Sequence, residues 1–197
     1  MKRWVCMVVL VCMLPPTAQA HLASTGFGSY YDGVAHLVMT PGDLLLVLGL
    51  GLLAGLGGAA SGRTVLVVLP AAWLMGGFVG MNWPGGGELP VLLVLSFGVM
   101  GVLVALDWQL PQVAVLVLAC GAGLLHGYVN GATMTAGVRT WLALLGTATA
   151  VFVVATLLPA LVVSLRQPWM RIMVRVAGSW IAAIAILTLG WLVRGRA

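Results

Sequence analysis

Histidine and acidic side chains are the groups in this chain whose chemistry suits metal binding. There are three histidines and four acidic residues among 197 residues. Imidazole nitrogens and carboxylate oxygens are common ligands of divalent transition metals. Six of these residues are predicted to lie at or near one face of a membrane, and Asp107 at the other. The six candidate metal ligands are His21, Asp32, His36, Asp43, Glu88 and His126.

The spacing of three candidates, Asp32, His36 and Asp43, supports two competing interpretations. Asp32 and His36 are four residues apart, and they share a face if residues 28–39 form a short helix at the membrane surface. They are then either a metal-binding pair or an exposed surface pair. Asp43 follows Thr40, Pro41 and Gly42, a sequence typical of a helix start, so its role is either structural or ligating.

His126 is the strongest single candidate because it lies inside an apolar segment, with Asn130 one turn later on the same face. Ionisable groups within a membrane span are costly and usually mark a functional site. The alternative is a structural hydrogen bond to a neighbouring helix. Glu88 opens an apolar segment, where it also complements a helix N-terminus. His21, if exposed by cleavage, could chelate a metal through its α-amine and Nδ1.

The chain that must position these residues is 62% hydrophobic and 7% charged. This composition and six long apolar segments predict an all-α integral membrane bundle of six transmembrane helices. Residues 1–20 are predicted to be a signal peptide, and residues 21–197 are predicted to form one membrane domain. The predicted spans are 43–60, 64–81, 90–106, 112–129, 140–165 and 171–193.

Residues 1–20 resemble a cleavable signal peptide, with Lys2 and Arg3 before an apolar stretch and Ala18-Gln19-Ala20 as the cleavage site. Cleavage would place the mature N-terminus on the exported, periplasmic side of a bacterial inner membrane. The first span then runs inward, and the face carrying the candidate ligands is the exported one. An uncleaved anchor helix is the alternative.

The sequence lacks the motifs that are typical of several function classes. The chain has no GxxxxGK[ST] sequence for ATP binding and no GxSxG nucleophile, and it has no aromatic and basic surface for nucleic acid. We therefore expect no enzyme, no permanently bound cofactor and no nucleic-acid partner. Glycines repeat every four residues at Gly123, Gly127 and Gly131, and at Gly76 and Gly80, which predicts closely packed helices.

At these residues the chain resembles the HupE/UreJ family of small membrane proteins. Two positions depart from the family pattern: Leu44 and Asn130 stand where the family has histidines. The segments that carry the resemblance are His21 to Gly26, Tyr31 to His36, Pro41 to Asp43, Leu69-Pro70 with Gly76-Gly77, Glu88 before Ser96, and Leu125 to Gly131.

The resemblance implies handling of nickel or cobalt in connection with hydrogenase or urease. We expect a permease that carries a divalent transition metal, nickel or cobalt first, across the inner membrane. His36, Asp43 and His126 would receive the ion, with Asp32, His21 and Glu88 nearby. The alternative is a membrane-bound accessory protein that captures metal for a hydrogenase or urease maturation partner without transporting it. The sequence leaves the oligomeric state open.

Overall fold

The structure, a computed structural model, describes residues 25–85, 89–134 and 140–194, and all regular structure within these ranges is helical. This confirms the all-α prediction. The predicted signal peptide, His21 and Glu88 lie outside the described residues. The described helices are α1 (Ser29–Met39), α2 (Pro41–Leu56), α3 (Ala59–Asn82), α4 (Pro90–Ala105), α5 (Gln112–Thr133), α6 (Thr140–Ser164) and α7 (Pro168–Arg194).

Each predicted apolar segment forms a helix, but the first break lies elsewhere than predicted. The predicted spans 43–60 and 64–81 place the first turn at 61–63, but these residues are helical in α3. The chain turns instead at Gly57 and Gly58, where Gly58 has a φ of 91°. Glycine adopts this left-handed conformation without the steric cost of a Cβ, so the turn forms there.

Thr40 separates α1 from α2, and the two helix axes differ by 75°. Thr40 is extended, with φ −105° and ψ 93°, and Pro41 is the first residue of α2. A proline disfavours the helical conformation for the residue before it and has no N–H to continue a preceding helix. Thr40 is therefore the N-cap residue, as predicted, although its hydroxyl makes no capping hydrogen bond.

Four of the described helices, α3, α5, α6 and α7, are long and apolar enough to cross a membrane. The bent pair of α1 and α2 satisfies the same criteria as a unit, which gives up to five candidate spans. α4 is apolar but has 16 residues, about 24 Å of helix against the roughly 30 Å of a hydrocarbon core. The predicted count of six spans stays a prediction.

α2 is the central helix of the bundle. It contacts each of the other six described helices, and 11 of its 16 residues are buried. The outer surfaces of the other helices expose many large apolar side chains, which suits contact with lipid. Five tryptophans are exposed near helix ends, as expected for interfacial anchors: Trp83, Trp108, Trp141, Trp169 and Trp191.

Glycines bring α3 and α5 into backbone contact. A Cβ on Gly127 or Gly131 would collide with the backbone carbonyl of Trp73 or Gly77, and a Cβ on Gly80 would collide with that of Tyr128. Small residues at this spacing allow close approach in lipid, where apolar association contributes little. The predicted packing role of these glycines is confirmed.

An ion pair joins the end of α4 to the start of α7. The Arg171 guanidinium donates to both carboxylate oxygens of Asp107, at 2.7 and 2.8 Å, and Arg175 Nε donates to the carbonyl of Ala105 at 3.0 Å. The Arg171 hydrogen bonds hold the pKa of the Asp107 carboxyl below its usual value. This ion pair lies at the end of the bundle opposite the start of α2.

We predict that Gly127→Ala lowers the free energy of unfolding by about 1–3 kcal/mol, because the added Cβ overpacks the contact between α3 and α5. Gly121→Ala is the matched control on the same helix, since a Cβ there meets nothing within 4 Å. Thermal unfolding of both variants in detergent tests this. Equal melting temperatures for the two variants would contradict the proposed packing role.

We also predict that Asp107→Asn destabilises the protein by about 0.2–1 kcal/mol at pH 7, the range for partly exposed ion pairs. A carboxyl whose pKa is lowered by folding stabilises the fold above its unfolded pKa and loses that contribution as the pH falls through the folded pKa. The difference from wild type should therefore shrink below about pH 4. Unfolding measurements from pH 7 to pH 3 test this.

Arg171→Gln serves as the paired control for this ion pair. Adding Asp107→Asn to that background should cost little further stability, because the interaction is already lost. Additive losses in the double variant, or a difference that persists at pH 3, would show that Asp107 acts through another contact.

Candidate functional site

A buried polar cluster lies where α2 begins, α5 ends and α4 begins. It consists of Asp43, Ser96, His126 and Asn130, and we call it the Asp43–His126 cluster. His126 has no exposed surface, and Asp43 and Asn130 are each 3% exposed, whereas Ser96 is partly exposed. Polar groups in an apolar interior need hydrogen-bond partners or a bound ion. The hydrogen-bond partners of these four side chains define the candidate site.

Asp43 uses both oxygens of its carboxylate to join α2 to α5. Oδ1 lies 2.7 Å from His126 Nδ1, and Oδ2 accepts a hydrogen bond from Asn130 Nδ2 at 2.7 Å. Asp43 is in the first turn of α2, where a carboxylate also complements the helix dipole. Its side chain therefore contacts α5 across the bundle, so its role extends beyond starting a helix.

Both ring nitrogens of His126 have hydrogen-bond partners. Nδ1 faces Asp43, and Nε2 lies 2.7 Å from the Ser96 hydroxyl oxygen. Ser96 Oγ also lies 2.7 Å from the Leu93 carbonyl oxygen, to which it can donate. A neutral ring accepts from Ser96, whereas a charged ring donates to both neighbours and Ser96 then donates to Leu93. The geometry accommodates both protonation states.

Asn130 lies one turn after His126 on α5. Its Nδ2 donates to Asp43 Oδ2 and to the His126 carbonyl at 2.8 Å, whereas its Oδ1 is buried without a partner. Exchanging the amide nitrogen and oxygen would place Oδ1 against two acceptors, so this network fixes the amide orientation. Asn130 thus presents an oxygen donor that the described residues leave unused.

Trp73 of α3 packs beside His126, with ring centroids 5.7 Å apart and ring planes 37° apart. The indole is fully buried, and its Nε1 has no hydrogen-bond partner among the described residues. The close approach of Trp73 to α5 depends on Gly123 and Gly127, because a Cβ at either position would meet the backbone at Trp73. The glycine contact therefore also positions an aromatic wall for the site.

The structure brings Asp43 and His126 together but gives Asp32 and His36 other partners. Asp32 accepts hydrogen bonds from the backbone N–H and hydroxyl of Thr25, and His36 Nε2 lies 3.4 Å from the Thr40 hydroxyl. Within the described ranges, no three histidine, cysteine or acidic side chains come close enough to hold a metal ion. Metal binding by the six predicted residues stays a prediction.

Three cluster neighbours were not predicted as ligands from the sequence: Ser96, Asn130 and Trp73. The ligands predicted from the sequence are all ionisable side chains, and none of these three is ionisable in the physiological range. Trp73 did carry a signal, because it is a tryptophan in the middle of an apolar segment, whereas five others lie at segment ends. Asn130 was notable for replacing a histidine of the family pattern.

The cluster offers one imidazole nitrogen, the oxygens of Asp43, the amide oxygen of Asn130 and the Ser96 hydroxyl. Such a set suits a borderline or hard divalent cation. The order serine, histidine and aspartate also occurs in serine hydrolases. Ser96, however, lies in the second turn of α4, where the neighbouring backbone N–H groups bond within the helix and form no oxyanion hole.

We predict that Asp43→Ala lowers the free energy of unfolding by about 3–5 kcal/mol, because it removes one partner of a buried pair and leaves His126 Nδ1 without an acceptor. Asp32→Ala, whose carboxylate bonds only to nearby Thr25 among the described residues, should cause a much smaller loss. Thermal unfolding in detergent compares the two variants. A loss for Asp43→Ala no larger than for Asp32→Ala would contradict a structural role for the cluster.

A protein-family model described as HupE / UreJ protein matches residues 9–188 of this chain. The match covers most of the chain and confirms the resemblance seen in the sequence motifs. Neither a curated protein nor a solved structure matches the chain significantly.

Proposed function

This chain belongs to the HupE/UreJ family, and on that premise we propose that it is a multi-pass membrane permease for a divalent transition metal, nickel or cobalt. Membership implies a role in nickel or cobalt handling for hydrogenase or urease. The ion would enter at the Asp43–His126 cluster from the exported face and move inward across the bacterial inner membrane.

The observation that carries the proposal is the direct contact of a buried carboxylate with a buried imidazole at the start of the central helix. Burying one such group without a partner costs several kcal/mol, and groups of this kind inside membrane bundles usually serve ion pathways. A divalent cation would be attracted by the Asp43 carboxylate and could use the unpaired Asn130 Oδ1 as a further ligand. The cluster thus has both charge and free coordination capacity.

A cleft at the same end of the bundle offers a route toward the cluster. It has a volume of about 380 Å³ and lies between the start of α4 and the end of α5. Its lining includes Leu93, whose carbonyl lies within hydrogen-bond distance of Ser96, and Val129, which precedes Asn130. The cleft therefore adjoins two of the three helices that carry cluster residues, α4 and α5.

The membrane potential can drive inward movement of a divalent cation without ATP. An inside-negative potential contributes about 2.3 kcal/mol per charge per 100 mV, or roughly 4.6 kcal/mol for two charges. Since about 1.4 kcal/mol corresponds to a tenfold ratio, this supports a concentration gradient of more than a thousandfold. The proposed permease would therefore need no nucleotide-binding site of its own.

One observation favours the second candidate, a metal-binding accessory protein that does not transport. From the cluster toward the opposite end, the inward faces of the three contributing helices are apolar. The buried residues of these helices include Leu46, Leu50, Phe97, Met100, Val104, Ala122, Ala119 and Val115. Thr149 is exposed and donates a hydrogen bond to the Leu145 carbonyl of its own helix. A metal site with apolar residues between it and the opposite end of the bundle suits a protein that captures metal and delivers it to a partner.

We predict that purified protein in liposomes takes up ⁶³Ni²⁺ or Co²⁺ under an inside-negative potassium diffusion potential. Asp43→Asn should reduce initial uptake at least tenfold, because it removes the negative charge that attracts the cation. Asp107→Asn is the matched control, since it removes a carboxylate at the opposite end and should leave uptake near the wild-type rate. His36→Gln, compared with His126→Gln, tests whether His36 also receives the ion.

Equilibrium metal binding by the same proteins separates the two candidate functions. Stoichiometric binding that depends on Asp43 but is not followed by uptake would support the accessory role and contradict the permease. Binding and uptake that are both unchanged in Asp43→Asn would contradict both candidates.

A further inference from the structure

Two buried polar atoms in the described part of the chain have no hydrogen-bond partner, and both belong to residues that contact His126. They are Trp73 Nε1, an N–H donor, and Asn130 Oδ1, an acceptor. Trp73 packs against the His126 ring, and Asn130 donates to the His126 carbonyl. Both residues are nearly inaccessible, at 0% and 3% exposure. Leaving such atoms unpaired in a protein interior requires an explanation such as water or an ion.

The opposite character of the two atoms restricts what can satisfy them. A bare metal cation would accept a lone pair from Asn130 Oδ1 but would be repelled by the positive end of the Trp73 N–H dipole. A water molecule bound to the cation has an oxygen that can accept a hydrogen bond from that N–H. A partly hydrated cation therefore has the chemistry to pair with both kinds of atom, the ion with Asn130 Oδ1 and its water with the Trp73 N–H.

We propose, building on the proposed metal-binding function, that the Asp43–His126 cluster holds a divalent cation that retains at least one water molecule. Asn130 Oδ1 coordinates the ion directly, and Trp73 Nε1–H donates to the retained water. Trp73 thereby acts as a ligand-positioning residue for that water. Keeping a water also reduces the dehydration that the ion must undergo to leave solvent.

This arrangement makes the site rich in oxygen donors. Asp43, Asn130 and the retained water supply oxygen, and His126 can supply one imidazole nitrogen. Imidazole favours nickel, copper and zinc, whereas carboxylate, carbonyl and water oxygens favour manganese and magnesium. The cluster should therefore prefer Ni²⁺ over Mn²⁺ less strongly than the same cluster with an imidazole at position 130.

The first test replaces Trp73 with phenylalanine, which keeps an aromatic ring beside His126 and removes the N–H. Trp180→Phe is the matched control, because Trp180 is 68% exposed on α7. Binding of Co²⁺ alone, measured by competition with a fluorescent chelator on purified full-length protein, should weaken about tenfold in Trp73→Phe. It should be unchanged in Trp180→Phe.

The second test replaces Asn130 with histidine and does not depend on the folding of Trp73→Phe. The ratio of Ni²⁺ affinity to Mn²⁺ affinity should rise at least tenfold, because an amide oxygen is exchanged for an imidazole. An unchanged ratio would overturn direct coordination by Asn130.

The Asp43→Asn variant distinguishes failure of this proposal from failure of the proposed function. If Asp43→Asn abolishes Co²⁺ binding while Trp73→Phe and Asn130→His bind as wild type does, the hydrated-ion proposal is wrong and the metal site stands. If Asp43→Asn binds Co²⁺ normally, the metal site itself is wrong.

A permanently bound water that satisfies both atoms is the remaining alternative. In that case Trp73→Phe would lower the melting temperature equally with and without Co²⁺ and leave the dissociation constant unchanged. That result would also overturn the proposal.

Discussion

The contact between Asp43 and His126 is the interaction on which the rest of this structure depends. Each side chain taken alone would be a costly group in an apolar helical bundle, because burial disfavours its charged form and removes its water. Together with Asn130 they satisfy the carboxylate on both oxygens. This pairing fixes the start of α2 against the end of α5, and Ser96 adds the start of α4. The three helices must therefore meet at this end.

Helix packing and the site depend on the same residues. Gly123 and Gly127 let α5 approach the α3 backbone, and that approach places the Trp73 ring against His126. α2 can supply Asp43 to α5 because it is central and mostly buried. A larger residue at either glycine would thus change both the stability of the bundle and the wall of the site.

Sequence patterns located the helices well because apolar segments and helix-start residues act locally. Thr40 and Pro41 define the start of α2, and the glycine spacing predicted close helix packing, which the structure shows between α3 and α5. The sequence placed the turn after α2 at 61–63 instead of at Gly57 and Gly58, because Ser61-Gly62-Arg63 contains residues that are equally common in turns. Hydropathy identifies apolar segments but does not determine the length of the helix that each one forms. The 16-residue helix α4 therefore does not establish a separate membrane span.

The site was harder to predict than the fold because its contacts join residues far apart in sequence. Asp43 is 83 positions from His126 and 87 from Asn130, and its local sequence equally describes an ordinary helix start. His36 has the right side chain, but its described partner is Thr40, one turn away. Ser96 and Trp73 carry no ionisable group, so their contacts with His126 are recognised only once α3, α4 and α5 are placed beside each other.

An ion that coordinates His126 Nε2 must displace the Ser96 hydroxyl, which lies on a helix that packs extensively on α7 and only slightly on α5. Metal binding at that nitrogen would therefore require the Ser96 side chain to move away from the ring.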